Sequence, residues 1–182
     1  MVGTRRAGTM RDNDVEGWPG LRVDQIRGMA GRPDAVPLYR PNVVLLNAGT
    51  NDALQSHNVS AAGARMEALL RDLYCASPRA VVVLSTLLPN RDPAAQRNVL
   101  AINAQYCALA ARLAREGRKI VLADMQGAGG PSVADLLDGT HPNDQGYVKM
   151  ANVWVDALKV VGEKNWLVIP EDVIGLPNDD GW

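Results

Sequence analysis

The sequence predicts an α/β layered domain built on a parallel sheet, and three observations carry that expectation. Three short apolar runs, Val43-Val44-Leu45-Leu46, Val81-Val82-Val83-Leu84 and Ile120-Val121-Leu122, are continuous and β-branched rather than alternating, as strands covered on both faces by helices are. Apolar residues at helical spacing lie between and after these runs. Strand and helix therefore alternate along the chain, the pattern of βαβ units.

From the amino terminus, Gly17-Trp18-Pro19-Gly20 reads as a turn and Val23 to Met29 as a short helical stretch. Gly31-Arg32-Pro33 through Pro41 reads as a linker-like loop. Beyond the first apolar run, Ala62, Met66, Leu69, Leu70 and Leu73 form one helical stripe. Val99, Ile102, Tyr106, Leu109 and Leu113 form a second after the second run. Gly117 suits the end of that helix, just ahead of the Ile120 strand. A third stripe holds Tyr147, Met150, Ala151, Trp154, Val155 and Leu158. The tail from Trp166 to Trp182, with Asn178-Asp179-Asp180 near its end, is expected to be a surface extension packed by Trp166 and Ile169. The expected division is a domain over 1–162 and an extension over 163–182.

A length of 182 residues suits a single domain with a substantial core. Hydrophobic residues at 47% against 21% charged place the chain among globular rather than disordered sequences. With a net charge of −1 and no basic block longer than Arg5-Arg6, nothing argues for a nucleic-acid or membrane-surface partner. No apolar run approaches the roughly 18–20 residues of a spanning helix, and Met1 to Arg6 lacks the apolar stretch of a signal peptide. Two histidines and two cysteines without ligand spacing imply no zinc site and no cofactor. Asn58-Val59-Ser60 matches a glycosylation triplet, a weak hint of secretion.

The most chemically suggestive segment is Asp138-Gly139-Thr140-His141-Pro142. Proline pushes the backbone of His141 out of the helical region, and a helix is expected to start at Pro142 or Asn143. A carboxylate three residues upstream on the same loop can hold one ring nitrogen, leaving the other to take a proton from a nucleophile. A capping turn with an incidental histidine would look the same. Asn51 follows the first buried strand through Gly49-Thr50, at the carboxyl edge where open α/β sheets gather their ligand sites. Its amide there is a candidate donor to an oxyanion, or else one half of an ordinary Asn-Asp turn. Asp52 reads as a turn or helix-capping residue.

In order and approximate spacing, Gly17 to Gly20, then Asn47-Ala48-Gly49-Thr50-Asn51-Asp52, then Asp138 to Pro142 resemble the SGNH hydrolases, also called the GDSL esterase/lipase superfamily. The resemblance covers about residues 12 to 160, and Asp12 to Gly20 resembles the secreted, acetylxylan-esterase-like branch. It implies a three-layer α/β/α sandwich with a parallel, flavodoxin-like sheet. It also implies hydrolysis of a carboxylic ester, such as an acetyl group on a carbohydrate. His141 would be the general base and Asp138 its orienter. Asn51 and Gly20 would form the oxyanion hole.

The departure lies in the family's first block, Gly-Asp-Ser, which carries the nucleophile. No serine precedes Ser56 in this chain. Ser56, Ser60, Ser77, Ser85 and Ser132 match no nucleophile position and are expected to be non-catalytic. Met1-Val2-Gly3-Thr4 looks like the second strand of the sheet, cut at its start. The expectation is therefore a chain that begins downstream of the true start and lacks its first, central strand, leaving Val43–Leu46 with an unpaired edge. The missing part would hold a signal peptide, which would make the full-length protein secreted, together with the serine. A non-catalytic carbohydrate- or acyl-binding pseudoenzyme on the same scaffold is the rival, and an unrelated flavodoxin-like binding domain a third possibility. Cys75 and Cys107 are either buried reduced thiols or, on adjacent helices of this topology, a disulfide.

Overall fold

The computed structural model describes residues 1–173. The acidic Asn178–Asp180 stretch of the tail lies outside the described residues. Elements follow the order β1 (Arg5–Arg6), β2 (Asp14–Val15), α1 (Val23–Ala30), α2 (Val36–Tyr39), β3 (Val43–Leu46), α3 (Thr50–Leu54), α4 (Ala62–Ala76), β4 (Val81–Ser85), α5 (Pro93–Arg115), β5 (Ile120–Ala123) and α6 (Asp144–Glu163).

The apolar runs form a three-stranded parallel sheet in the order β3-β4-β5. Val43 pairs with Val81 and Val82 with Ile120, with register kept along each strand. β4 is central and wholly buried. Its alternate residues serve two cores, because successive strand side chains point to opposite faces. Val82 and Leu84 join Met66 and Leu70 of α4 and Ile102 and Tyr106 of α5. Val81 and Val83 join Ala157 and Val161 of α6. The result is the expected α/β/α layering, with α4 and α5 on one face and α6 on the other.

Both long helices after β4 begin on side-chain caps. Asp92 accepts from the Ala95 N–H ahead of Pro93, and Asn143 accepts from the Gly146 N–H, each removing one orphan donor of the first turn. α6 thus starts at Asp144 with Asn143 as its cap, one residue beyond the nearer expected start. Pro142 instead pairs with Leu136 in an isolated bridge. Of the stripe expected on α6, Met150, Trp154 and Leu158 pack against the core around Val81 and Val83, while the rest of it does not. Tyr147 and Val155 are exposed while Ala157 and Val161 are buried, because a single sheet face needs only one narrow strip of this helix.

β3 departs from burial on both faces: Leu45 is 48% exposed. Within the described residues β3 has one partner, β4, and its other edge is unpaired. Residues Met1 to Thr4 do not form a strand of the parallel sheet. The residues that follow pair with one another instead. Arg5 faces Val15 and Arg6 faces Asp14 in an antiparallel ribbon, and Thr4 donates its N–H and hydroxyl to Glu16. The Gly31–Pro41 loop contains the short helix α2. Trp166 packs against the α6 core, whereas Ile169 is exposed and contributes only its carbonyl, to Arg79. Cys75 and Cys107 are free and exposed, neither buried nor bonded. No helix among the described residues is long and apolar enough to cross a membrane.

Candidate active site

The carboxyl ends of the three strands are laced together by side chains. Asn47, after β3, donates its amide to the Ser85 hydroxyl of β4 at 2.7 Å. The Thr86 hydroxyl donates to Asp124, after β5, at 2.9 Å and accepts from the Met125 N–H. This edge is where ligands collect in open α/β sheets, and the segments singled out from the sequence meet it in two groups.

The first group surrounds α3. Gly49 turns the chain out of β3 at φ +120°, where an added Cβ would come within 2.5 Å of the Tyr106 hydroxyl. That hydroxyl donates to the Ala48 carbonyl at 3.0 Å, fixing the turn from below. The Asn51 amide donates to the Leu21 carbonyl at 3.1 Å, which brings α3 against the Gly17–Gly20 turn. A carboxamide nitrogen carries two hydrogens, so one remains for a ligand. Gly20 is exposed with φ +81°. Asp52 is fully buried and caps a helix other than its own. It accepts from the Val23 N–H at the start of α1 at 3.0 Å and from Nη2 of Arg65 at 2.8 Å.

The second group is the loop between residues 135 and 143. His141 Nδ1 lies 2.7 Å from one oxygen of Asp138, and the backbone N–H groups of His141 and Thr140 donate to the other oxygen at 2.8 and 2.9 Å. These bonds, the backbone one from His141 foremost, hold the Asp138 carboxyl well below the usual carboxylate range. An ionised carboxylate only accepts, so Nδ1 is the protonated nitrogen of the neutral ring and Nε2 carries the free lone pair. The imidazole is open to solvent. Its loop is clamped by residues with no visible signal in the sequence. The Arg91 N–H donates to the Gly139 carbonyl at 2.8 Å, the Arg91 side chain donates to the Leu136 carbonyl, and Asn90 donates to the Thr140 hydroxyl. Gly139, at φ +94°, leaves its would-be Cβ 3.0 Å from that of Arg91. Below the loop, Asp135 accepts from Lys149 and from Ser132, and these contacts lower its pKa to about 2.

The structure thus joins Asp138 with His141, and Asn51 with the Gly20-Leu21 turn. No hydrogen bond among the described residues links one pair to the other. Each of the five serine hydroxyls is engaged elsewhere: Ser56 with Asn98, Ser60 with Asn58, Ser77 with the Pro41 carbonyl, Ser85 with Asn47 and Ser132 with Asp135. None bonds to His141. The guanidinium carbons of Arg5 and Arg32 each lie over the Trp18 ring, 4.9 and 5.5 Å from its centre. No group of three or more His, Cys, Asp and Glu residues among the described residues is arranged to hold a metal ion.

Comparison with known proteins points to one family and one fold. Residues 3–149 match the model of the GDSL-like lipase/acylhydrolase family. Over 146 residues the chain is 30% identical to a multidomain esterase of Ruminococcus flavefaciens, a match that spans 79% of this chain and 19% of that protein. The chain therefore spans about a fifth of that relative. Among solved structures, a Clostridium thermocellum family 3 carbohydrate esterase superposes with a TM-score of 0.77 at 24% identity, covering 91% of this chain and 80% of that one. A carbohydrate esterase family 3 protein from Talaromyces cellulolyticus gives 0.75 at 21% identity, covering 92% and 83%.

Proposed function

Because the chain belongs to the GDSL-like lipase/acylhydrolase family, we propose that it carries the acid–base and oxyanion half of a carboxylic ester hydrolase site, one suited to a small acyl group such as acetyl on a carbohydrate. The observation that supports this reading best is the 2.7 Å contact between His141 Nδ1 and Asp138, which orients an accessible Nε2 as a proton acceptor. In the proposed reaction a serine hydroxyl gives its proton to Nε2 as its oxygen bonds to the ester carbonyl carbon. The resulting oxyanion is held by the second amide hydrogen of Asn51 and the N–H of Gly20, each such donor being worth roughly 3–4 kcal/mol. Collapse breaks the ester C–O bond, and the imidazolium returns its proton to the departing alkoxide. Water then repeats the sequence and releases the acid.

None of the five serines contacts His141, so the proposal includes near-background turnover by the 182-residue chain itself. The same observation favours one second reading, a carbohydrate- or acyl-binding protein on this scaffold. Hydrolysis of 4-nitrophenyl acetate separates the two. A chain extended at its amino terminus by an apolar strand ending in Gly-Asp-Ser should hydrolyse the ester, and His141→Ala in that chain should abolish the activity. A folded but inactive extended chain would leave the binding reading. His141-dependent turnover by the present chain would show that a nucleophile has been overlooked.

A further inference from the structure

Asn58 serves neither the histidine loop nor the oxyanion turn. It is the sole asparagine of the sequence followed at the second position by serine or threonine, with Val59 rather than proline between them. It lies between α3 and α4, at the start of a single 3₁₀ turn over Val59–Ala61. The backbone of this triplet is tied inward. The Asn58 carbonyl accepts from the Ala61 N–H at 3.0 Å and from Nη1 of Arg65 at 3.1 Å. The Val59 carbonyl accepts from the Gln105 amide at 2.8 Å, and the Val59 side chain packs against the larger core.

The two polar side chains turn the other way. Asn58 and Ser60 are both exposed, and the Ser60 hydroxyl donates to Oδ1 of Asn58 at 3.2 Å. Nδ2 of Asn58 has no acceptor among the described residues. The backbone of Asn58 is left-handed, at φ 38° and ψ 58°, which glycine or asparagine satisfies. That conformation accounts for an asparagine here but makes no demand for a hydroxyl two residues later. An unengaged carboxamide beside that hydroxyl, on a surface turn, is what a bulky, hydrophilic N-linked glycan requires. We infer that Asn58 is a glycan acceptor on this protein, with a polyisoprenyl-diphosphate-linked oligosaccharide as the donor class. In the transfer, Nδ2 bonds to the anomeric carbon of the first sugar as that carbon's bond to the diphosphate oxygen breaks. The amide proton passes to a base of the transferase, and the polyisoprenyl diphosphate leaves with the electron pair. Because Arg65, Gln105 and Val59 hold the turn from beneath, the attached sugar stands in solvent without displacing a packed group.

The test reads mass and mobility rather than ester turnover, so it stands or falls apart from the hydrolase reading. The full chain is produced in yeast behind a cleavable secretion leader, and material from the medium and from protease-protected microsomes is analysed alike. One upward mobility shift is expected, removed by N-glycosidase F, with aspartate then read in place of Asn58 by peptide mass spectrometry. Ser60→Ala should abolish the shift and Ser60→Thr should keep it. Asn58→Gly should abolish it while preserving the left-handed backbone. A surface addition that touches no packed group leaves stability nearly unchanged, so the glycan-bearing chain should melt within about 3 °C of Ser60→Ala. Three results would overturn the proposal: an unmodified Asn58 in the protected or secreted chain, a shift that survives Ser60→Ala, or a glycan that lowers the thermal midpoint by more than about 3 °C.

Discussion

Replacing Asp52 with alanine removes the carboxylate on which α1, α3 and α4 converge. Its side chain is fully buried and accepts from the Val23 N–H and from Nε and Nη2 of Arg65. The Arg65 side chain is itself only 15% exposed. Breaking a buried pair by deleting one partner typically costs about 3–5 kcal/mol, because the surviving charge stays uncompensated. Arg65 also donates to the His57 and Asn58 carbonyls, which puts the expected loss near the lower figure, about 3 kcal/mol. In a chain of this size that corresponds to a fall of roughly 6–12 °C in the thermal midpoint. Circular dichroism melts of Asp52→Ala, Arg65→Met and the double variant measure it. The double variant should lose less than the two singles combined, since it leaves no unpaired charge. A shift below about 2 °C for Asp52→Ala, or strict additivity, would refute the argument and return Asp52 to the role of an ordinary turn residue.

Gly49→Ala must accept both φ +120° and a clash with the Tyr106 hydroxyl, so urea unfolding should show a loss of about 2 kcal/mol or more. Adding Tyr106→Phe should relieve only the clash. Alone, Tyr106→Phe should cost about 1–3 kcal/mol by leaving the buried Ala48 carbonyl unpaired. Asp135, with its pKa lowered to about 2 from 3.8, stabilises the fold fully above pH ~4. That contribution is lost as pH falls toward 2, so a carbon-13 titration should place its midpoint near 2, and Lys149→Met should raise it. Asp138→Asn should let neutral His141 populate the tautomer protonated at Nε2, visible in nitrogen-15 spectra, and in the serine-bearing extended chain it should lower ester turnover several hundred-fold or more.

What was legible in the sequence was what rests on local pattern. β4 and β5 are continuous apolar runs, and the stripes at Met66–Leu73 and Val99–Leu113 fall on the buried faces of α4 and α5. The Asp138–His141 contact was legible because three residues of one loop span it. Patterns that depend on what lies across the fold misled. β3 has the composition of an interior strand but sits at an edge, and α6 shows apolar residues on more faces than its neighbours cover. The antiparallel ribbon gave no alternation to detect, since its four residues are Arg5, Arg6, Asp14 and Val15. Arg91, Tyr106 and Arg65 carry no motif. Their roles come from tertiary contacts 13 to 58 residues away in sequence, a distance at which side-chain chemistry alone does not name a partner.

The clamp between Arg91 and the Gly139 carbonyl has a further meaning for how this chain can diverge. Asp92 caps α5 and Pro93 opens it, so the residue that grips the histidine loop sits immediately before a rigid helix of 23 residues. Where that helix begins sets where His141 stands. Lengthening the segment from Asn90 to Asp92 by one residue would carry the grip away from Gly139 while leaving every atom of His141 and Asp138 chemically intact. Insertions and deletions near residue 90 and near residue 139 should therefore be inherited together or purged together. Across related chains, the spacing of these two short segments would record that shared constraint even where the residues themselves have drifted.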